Sequence, residues 1–145
     1  MLTVHASGGG AMLRAAVAGA GEGCRVMGVT VLTSLSAPGL EEAWGRKGIE
    51  VGAEVERLAG LCSDAGAHGV VCSGFEASRV RERFPVMQPL VPGIRFSEGE
   101  AHDQTRVMTP RGAASAGARY MVIGRAVTGA SDPRVAMERV LAELA

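Results

Sequence analysis

Five short apolar runs, separated by longer amphipathic stretches, constrain the fold of this 145-residue chain more than any other feature. Each run is apolar at nearly every position, which is typical of parallel strands covered on both faces, and the amphipathic stretches are typical of the helices between such strands. The predicted strands are Leu2–Ala6, Val26–Thr33, Gly69–Ser73, Leu90–Ile94 and Tyr120–Val127. The predicted helices are Gly10–Ala20, Val51–Ala65, Ala77–Phe84, Thr109–Ala116 and Asp132–Leu144.

Helix boundary signals support this division of the chain. Asp132-Pro133 and Thr109-Pro110 each combine a side-chain oxygen at the N-cap with a proline in the first turn. Gly21 and Gly117 lie where glycines commonly end helices. The pattern therefore predicts one domain over residues 1–145, built from consecutive βα units with a parallel sheet and right-handed crossovers.

Two architectures accommodate five βα units. One is part of a (β/α)₈ barrel, about five of its eight units, since a full barrel normally needs about 250 residues. The other is a five-stranded, doubly wound sheet of the flavodoxin type. Composition does not choose between them. Both place a functional site at the carboxyl ends of the strands.

Composition excludes several classes of protein. The 15 basic and 15 acidic residues cancel, so we expect no electrostatic attraction to nucleic acid or to an anionic membrane. With 47% hydrophobic and 21% charged residues, the chain is expected to fold around a core. Three cysteines without paired spacing predict buried free thiols rather than a disulfide or metal site. No apolar run approaches about 18 residues and the first residues lack a basic segment, which predicts a cytoplasmic protein.

Arginines and glycines close the last two predicted strands, as Gly93-Ile94-Arg95 and Gly124-Arg125. In (β/α)₈ barrels a phosphate group commonly binds the loops after the last two strands, where backbone N–H groups hold it. An arginine adds a charged clamp that can bind two oxygens at once. A single Gly-Arg pair is typical of a surface turn, whereas two pairs at successive strand ends predict a phosphate site.

Other strand-end residues leave alternatives open. His5 either acts as an acid–base group or hydrogen-bonds a neighbouring backbone group. Thr33, Ser34 and Ser36 either bond a heterocycle or cap the following helix. Asp103-Gln104 lies in a polar segment that is either a binding loop or a solvated turn.

Lys47 is the only lysine, and its distance from every predicted strand end predicts a surface position.

Several segments resemble, in order and approximate spacing, successive strands of bacterial orotidine 5′-phosphate decarboxylases. The segments are Leu2-Thr-Val-His-Ala-Ser-Gly-Gly, Gly28-Val-Thr-Val-Leu-Thr-Ser, Gly69-Val-Val-Cys-Ser, Val91-Pro-Gly-Ile-Arg, Asp103-Gln-Thr-Arg-Val-Met-Thr-Pro and Tyr120-Met-Val-Ile-Gly-Arg-Ala-Val-Thr. Together they cover essentially the whole chain. The resemblance implies a (β/α)₈ barrel that acts as a homodimer in pyrimidine biosynthesis. It converts orotidine 5′-phosphate to UMP without a cofactor or a metal ion.

The resemblance also implies roles for individual residues. Arg125, the backbone of Gly124 and Arg95 are similar to the family's grip on the 5′-phosphate. Gln104 resembles the glutamine that bridges the phosphate and the pyrimidine. Thr33 matches a substrate-contact position. These five residues are the substrate-binding set that we predict.

One departure from the family pattern concerns catalysis. The family carries an alternating lysine and aspartate array, including an Asp-x-Lys-x-x-Asp motif on its third strand, and no Asp-x-Lys occurs in this chain. The chain resembles strands four to eight only, so we predict no catalytic residue and little or no activity alone. The second hypothesis is a non-enzymatic phosphate or nucleotide binder that self-associates through its free strand edges.

Overall fold

The computed structural model describes residues 1–97 and 106–145, which form five strands and a set of connecting helices. In chain order the elements are β1 (Leu2–His5), a 3₁₀ turn (Ala6–Gly8), α1 (Gly9–Ala20), β2 (Val26–Val29), α2 (Ala37–Trp44), α3 (Val51–Asp64), β3 (Gly69–Val71), α4 (Gly74–Arg83), β4 (Gln88–Val91), α5 (Pro110–Ser115), β5 (Tyr120–Met121), α6 (Arg125–Thr128) and α7 (Pro133–Leu144).

The strands form one parallel sheet in the order β1-β2-β3-β4-β5. Because right-handed crossovers that always step to the next strand carry their helices to the same face, the helices form one layer. Consecutive helices of that layer contact each other, α1 with α3, α3 with α4, and α4 with α5. The sequential order confirms the predicted barrel-type units. It contradicts the flavodoxin-like alternative, in which the strand order is 2-1-3-4-5.

The main core lies between the sheet and the helical layer. Leu13 of α1, Leu58 of α3 and Val80 of α4 are fully buried there against Val70 and Val91 of the sheet. Burying side chains of this kind contributes about 1.5–3 kcal/mol each relative to leaving them exposed. The rigid layer that results holds the carboxyl ends of the strands in place.

The first strand is not covered on both faces as its apolar sequence predicted. Leu2 is 37% exposed, and three of the four residues of β1 are exposed. The reason is topological, because β1 lies at the edge of the sheet and pairs only with β2 among the described residues. The helical layer covers only one face of the sheet.

Helix boundaries follow the predicted capping signals at two positions. The Asp132 carboxylate accepts hydrogen bonds from the backbone N–H groups of Arg134 and Val135, at 3.0 and 3.1 Å. The Thr109 hydroxyl accepts from Gly112 N at 3.1 Å. These bonds satisfy N–H groups that have no partner within their own helix.

Several element bounds differ from the prediction: the strand predicted over Val26–Thr33 ends at Val29, and two larger differences follow. The strand predicted over Tyr120–Val127 ends at Met121, and the chain then turns into the short helix α6. Helix α2 was not predicted, because Ala37-Pro-Gly at its start contains two poor helix formers. Packing compensates for this weak local propensity, since Leu40 of α2 is fully buried. Among the described residues, no helix combines the length and apolar character that a membrane crossing requires.

The three cysteines are free, as predicted, but only two of them are buried, since Cys24 is partly exposed. Cys62 and Cys72 are fully buried, and burial raises their pKa values to about 11 and about 12. Because the thiolate is the reactive form, we expect a disulfide reagent at pH 8 to modify Cys24 alone in the native protein. All three thiols should react in denaturant, and Cys24→Ser should remove the native reaction. Rapid modification of Cys62 or Cys72 in the folded state would contradict this prediction.

Candidate functional site

The carboxyl ends of β2, β4 and β5 surround an open pocket of about 420 Å³, which we call the strand-end pocket. Its polar lining comes from Thr33 and Ser34 after β2, Arg95 after β4, and Arg125 and Thr128 in α6. Four of the five predicted binding residues, Thr33, Arg95, Gly124 and Arg125, line this one pocket. The fifth, Gln104, lies outside the described residues.

A left-handed glycine and a parallel bridge position the wall that follows β4. Gly93 has a φ of +73°, a conformation that side chains disfavour, and it turns the chain at the end of the strand. Arg95 N then donates to Met108 O at 3.0 Å, and Met108 N donates to Gly93 O at 3.2 Å. Ile94, between them, is fully buried. The backbone on both sides of Arg95 is therefore fixed.

Arg95 is a buried cation that has no counter-charge among residues 1–97 and 106–145. Its side chain is 7% exposed, and its Nη1 donates to the Ile94 carbonyl oxygen at 2.7 Å. Its Nε is buried and has no hydrogen-bond partner, and no salt bridge of Arg95 is present within residues 1–97 and 106–145. Burying a charged guanidinium without an anion is costly, and arginine does not lose its proton to avoid that cost. An anion in the strand-end pocket would supply the missing charge.

Helix α6 forms the third wall. Gly124 precedes it, and its carbonyl oxygen accepts hydrogen bonds from Val127 N at 2.8 Å and Thr128 N at 3.0 Å. A Cβ at Gly124 would meet no atom within 4 Å, so the pocket is open at this point of the backbone. Val127 packs with Ala136 of α7 in a small second core. That core holds in place a short extra helix after the last strand, where barrels commonly bind phosphate.

The hydroxyl groups after β2 differ in position, and the structure shows the capping role for one of them. Ser36 caps α2, since its hydroxyl accepts from Gly39 N at 3.4 Å. Thr33, which is 7% exposed, and the exposed Ser34 line the pocket instead. Ser73 after β3 is fully buried and caps α4.

Other residues singled out in the sequence lie away from the pocket lining. His5 is exposed at the end of β1 and does not line the pocket. The Lys47 side chain is 89% exposed and pairs with Glu41 at 3.4 Å, which confirms its predicted surface position. Thr128 lines the pocket and was missed, because its neighbours were assigned to a strand that the structure ends at Met121.

A sequential parallel sheet, one helical layer and an arginine-lined pocket at the strand ends define the parallel (β/α)-barrel class, here with five βα units. The chain belongs to the orotidine 5′-phosphate decarboxylase / HUMPS family, which it matches over residues 1–140. The family resemblance of the strand segments is thereby confirmed.

Relatives of known name agree with this assignment. The chain is 47% identical over 144 residues to orotidine 5′-phosphate decarboxylase of Sphingopyxis alaskensis, covering 99% of this chain and 63% of that protein. It is 48% identical over 145 residues to the enzyme of Anaeromyxobacter dehalogenans, with the same coverage. The chain therefore spans slightly less than two thirds of the length of these relatives.

Solved structures show the same partial match. Orotidine 5′-phosphate decarboxylase from Lactobacillus acidophilus superposes with a TM-score of 0.80 at 32% identity, covering 97% of this chain and 61% of that one. The enzyme from Sulfolobus solfataricus superposes with a TM-score of 0.67 at 17% identity, which shows a common fold. The five βα units are thus similar to part of a barrel.

Proposed function

We propose that this chain forms the phosphate-binding part, with a portion of the pyrimidine subsite, of an orotidine 5′-phosphate decarboxylase site. The observation that carries the proposal is Arg95, a buried cation with an unpartnered Nε and no counter-charge in the part of the chain that the structure describes, in a pocket that also contains Gly124 and Arg125. The names of the relatives indicate the ligand class, orotidine 5′-phosphate and its product UMP. No cofactor or metal ion is needed for this binding role.

The chemistry of the strand-end pocket suits a nucleoside monophosphate. A phosphate group accepts charge-assisted hydrogen bonds from guanidinium groups, which Arg95 and Arg125 supply. Thr33 and Ser34 add neutral donors and acceptors that suit ribose hydroxyl groups or the pyrimidine. The pocket volume of about 420 Å³ lies within the usual range for small-molecule sites.

Decarboxylation needs more than this pocket contains. Loss of CO₂ from the substrate leaves an electron pair on C6 of the pyrimidine, which a nearby acid must protonate. The only lysine, Lys47, is exposed and paired with Glu41. No carboxylate is among the described residues that line the pocket. We therefore expect the chain alone to bind the nucleotide without decarboxylating it.

A second candidate function is a self-associating phosphate binder that is not an enzyme. Among the described residues, β1 pairs only with β2, and β5 pairs only with β4, so both strand edges are free. Leu141 and Leu144 of α7 are 60% and 43% exposed, which leaves apolar surface on the last helix. Free edges and exposed apolar side chains favour association with another chain. A homo-oligomer is the form that we propose for this function.

Calorimetry with UMP tests the binding proposal. We expect the wild-type chain to bind UMP, and Arg125→Ala to weaken binding about 10- to 100-fold through loss of a charged hydrogen bond. The control is Arg134→Ala, because Arg134 is exposed on α7, pairs with Glu138 of the same helix and does not line the pocket. No binding by the wild-type chain, or equal affinity in Arg125→Ala, would overturn the proposal.

An assay of UMP formation tests whether the chain alone has decarboxylase activity, which neither candidate function predicts. We expect the purified 145-residue chain to produce no UMP from orotidine 5′-phosphate above the uncatalysed rate. Turnover comparable to that of the Sphingopyxis relative would show that the catalytic groups are present after all. Light scattering on the same sample gives the oligomeric state.

A further inference from the structure

Arg106 does not line the strand-end pocket, yet its side chain contacts the segment that forms one wall of it. Its Nη2 donates to the carbonyl oxygens of Val31 at 3.3 Å and Leu32 at 3.1 Å, immediately before Thr33. Its Nη1 donates to Glu76 Oε1 at 2.7 Å. Both side chains of this ion pair are nearly buried, with 14% and 12% exposure. Arg106 therefore ties the chain after β2 to α4.

The carboxylate partner of Arg106 is itself held in place. Glu76 Oε2 accepts from Ser73 N at 3.1 Å and from the Ser73 hydroxyl group. The Ser73 hydroxyl oxygen accepts in turn from Phe75 N at 3.2 Å, which completes a capping box at the start of α4. Glu76 thus presents a fixed acceptor, and the position of the Arg106 guanidinium follows from it.

The backbone beside Arg106 reaches the opposite wall of the pocket. Two residues further on, Met108 donates to Gly93 O and accepts from Arg95 N. The side chain of Arg106 contacts the wall after β2, while its own segment is hydrogen-bonded to the wall after β4. One short stretch of chain therefore contacts both the wall that contains Thr33 and the wall that contains Arg95.

A guanidinium group can bond the two carbonyl oxygens and the carboxylate at the same time, which an ammonium group does less well. Its planar fork directs donors to acceptors on two different segments at once. Val31 is 2% exposed, so its carbonyl oxygen is remote from water and needs a partner within the protein. A lysine at this position would keep the charge opposite Glu76 and lose the fork.

We propose that Arg106 is a positioning residue for nucleotide binding, because it holds the Leu32–Ser34 wall at a set distance from Arg95. The inference rests on the proposed function, since it concerns the same pocket. Because Arg106 does not line the pocket, we expect it to make no direct contact with the ligand. Its contribution to affinity passes through Thr33 and Ser34.

Measuring the effect of Arg106→Lys in two backgrounds tests whether Arg106 acts through Thr33 and Ser34. We expect Arg106→Lys to lower the affinity for UMP about tenfold in the otherwise unchanged chain. In a chain that carries Thr33→Ala and Ser34→Ala, the same substitution should change affinity less than threefold, because the contacts of the wall are already absent. Equal losses in the two backgrounds would show that Arg106 acts by another route and would overturn the proposal.

The matched control is Arg79→Lys. Arg79 belongs to α4 and, like Arg106, pairs with a carboxylate, here Glu56 of α3, but it does not line the pocket. We expect this variant to bind UMP with wild-type affinity. If Arg79→Lys weakens binding as much as Arg106→Lys does, the effect is a general consequence of a weakened fold, and the positioning role is wrong.

Amide hydrogen exchange of the ligand-free protein provides a readout that does not depend on UMP. Leu35 N donates to Leu32 O at 3.0 Å, the same oxygen that accepts from Arg106. We expect Arg106→Lys to accelerate exchange at Leu35 about tenfold and to leave the amides of α7 unchanged. Unchanged exchange at Leu35, or equal acceleration throughout the chain, would overturn the role of Arg106. Absence of UMP binding by the wild-type chain would instead overturn the proposed function.

Discussion

Replacement of Arg95 by methionine is expected to weaken UMP binding strongly without destabilising the free protein. Methionine retains most of the apolar stem and removes a charge that is 7% exposed and has an unsatisfied Nε. Loss of a buried charged partner of a ligand typically costs 2–5 kcal/mol, which corresponds to a loss of affinity of more than about 30-fold. In the free protein the lost bond to Ile94 O and the relieved burial of charge should nearly cancel.

Two measurements on the same protein check this prediction. Calorimetry with UMP gives the affinity, and thermal unfolding in a buffer free of phosphate and sulfate gives the stability of the empty protein. The control Arg134→Met removes an exposed arginine, and we expect neither quantity to change. Wild-type affinity in Arg95→Met would exclude Arg95 from the binding site. A melting temperature lowered by more than about 8 °C would show that its charge stabilises the fold.

Among the substitutions considered, Gly69→Ala is expected to lower the free energy of unfolding the most. Gly69 lies in β3 between β2 and β4, in register with Met27 and Gln88. A Cβ at this position would overlap the Gln88 carbonyl oxygen and lie 2.9 Å from its carbon, and 2.6 Å from Met27 Cε. The methionine can move, whereas the Gln88 backbone is part of the sheet. We expect a loss of about 3 kcal/mol or more, since overpacking against backbone displaces a whole strand.

A second glycine provides the control for this substitution. Gly60 lies within α3, and a Cβ there would make an ordinary contact of 3.6 Å with Phe84 Cζ. Gly60→Ala should therefore raise stability by about 0.5–1 kcal/mol, because alanine favours helix. Urea denaturation followed by circular dichroism compares the two variants. If Gly69→Ala unfolded at the same urea concentration as the wild type, the prediction would be wrong. Strands β3 and β4 would then accommodate the added Cβ at little cost in free energy.

Much of the site was predictable because its signals are local. Gly93-Ile94-Arg95 and Gly124-Arg125 lie next to strands that the apolar pattern predicts, and parallel strands bring their carboxyl ends to one edge. The structure places Arg95 and Arg125 in the same pocket. The sequence did not distinguish the two arginines, although Arg95 is buried and Arg125 is exposed. Burial depends on the packing around each side chain, which residue spacing does not contain.

The sequence by itself determined the five βα units, the ends of several helices and the edge of the sheet that carries the pocket. These features depend on residue periodicity and on capping groups within a few residues of each other. Only the tertiary structure decided the sequential strand order, the exposure of β1 and the contact of Arg106 with Val31, 75 residues away in the chain. Such contacts arise when distant segments pack together, and no short-range pattern in the sequence records which segments will meet.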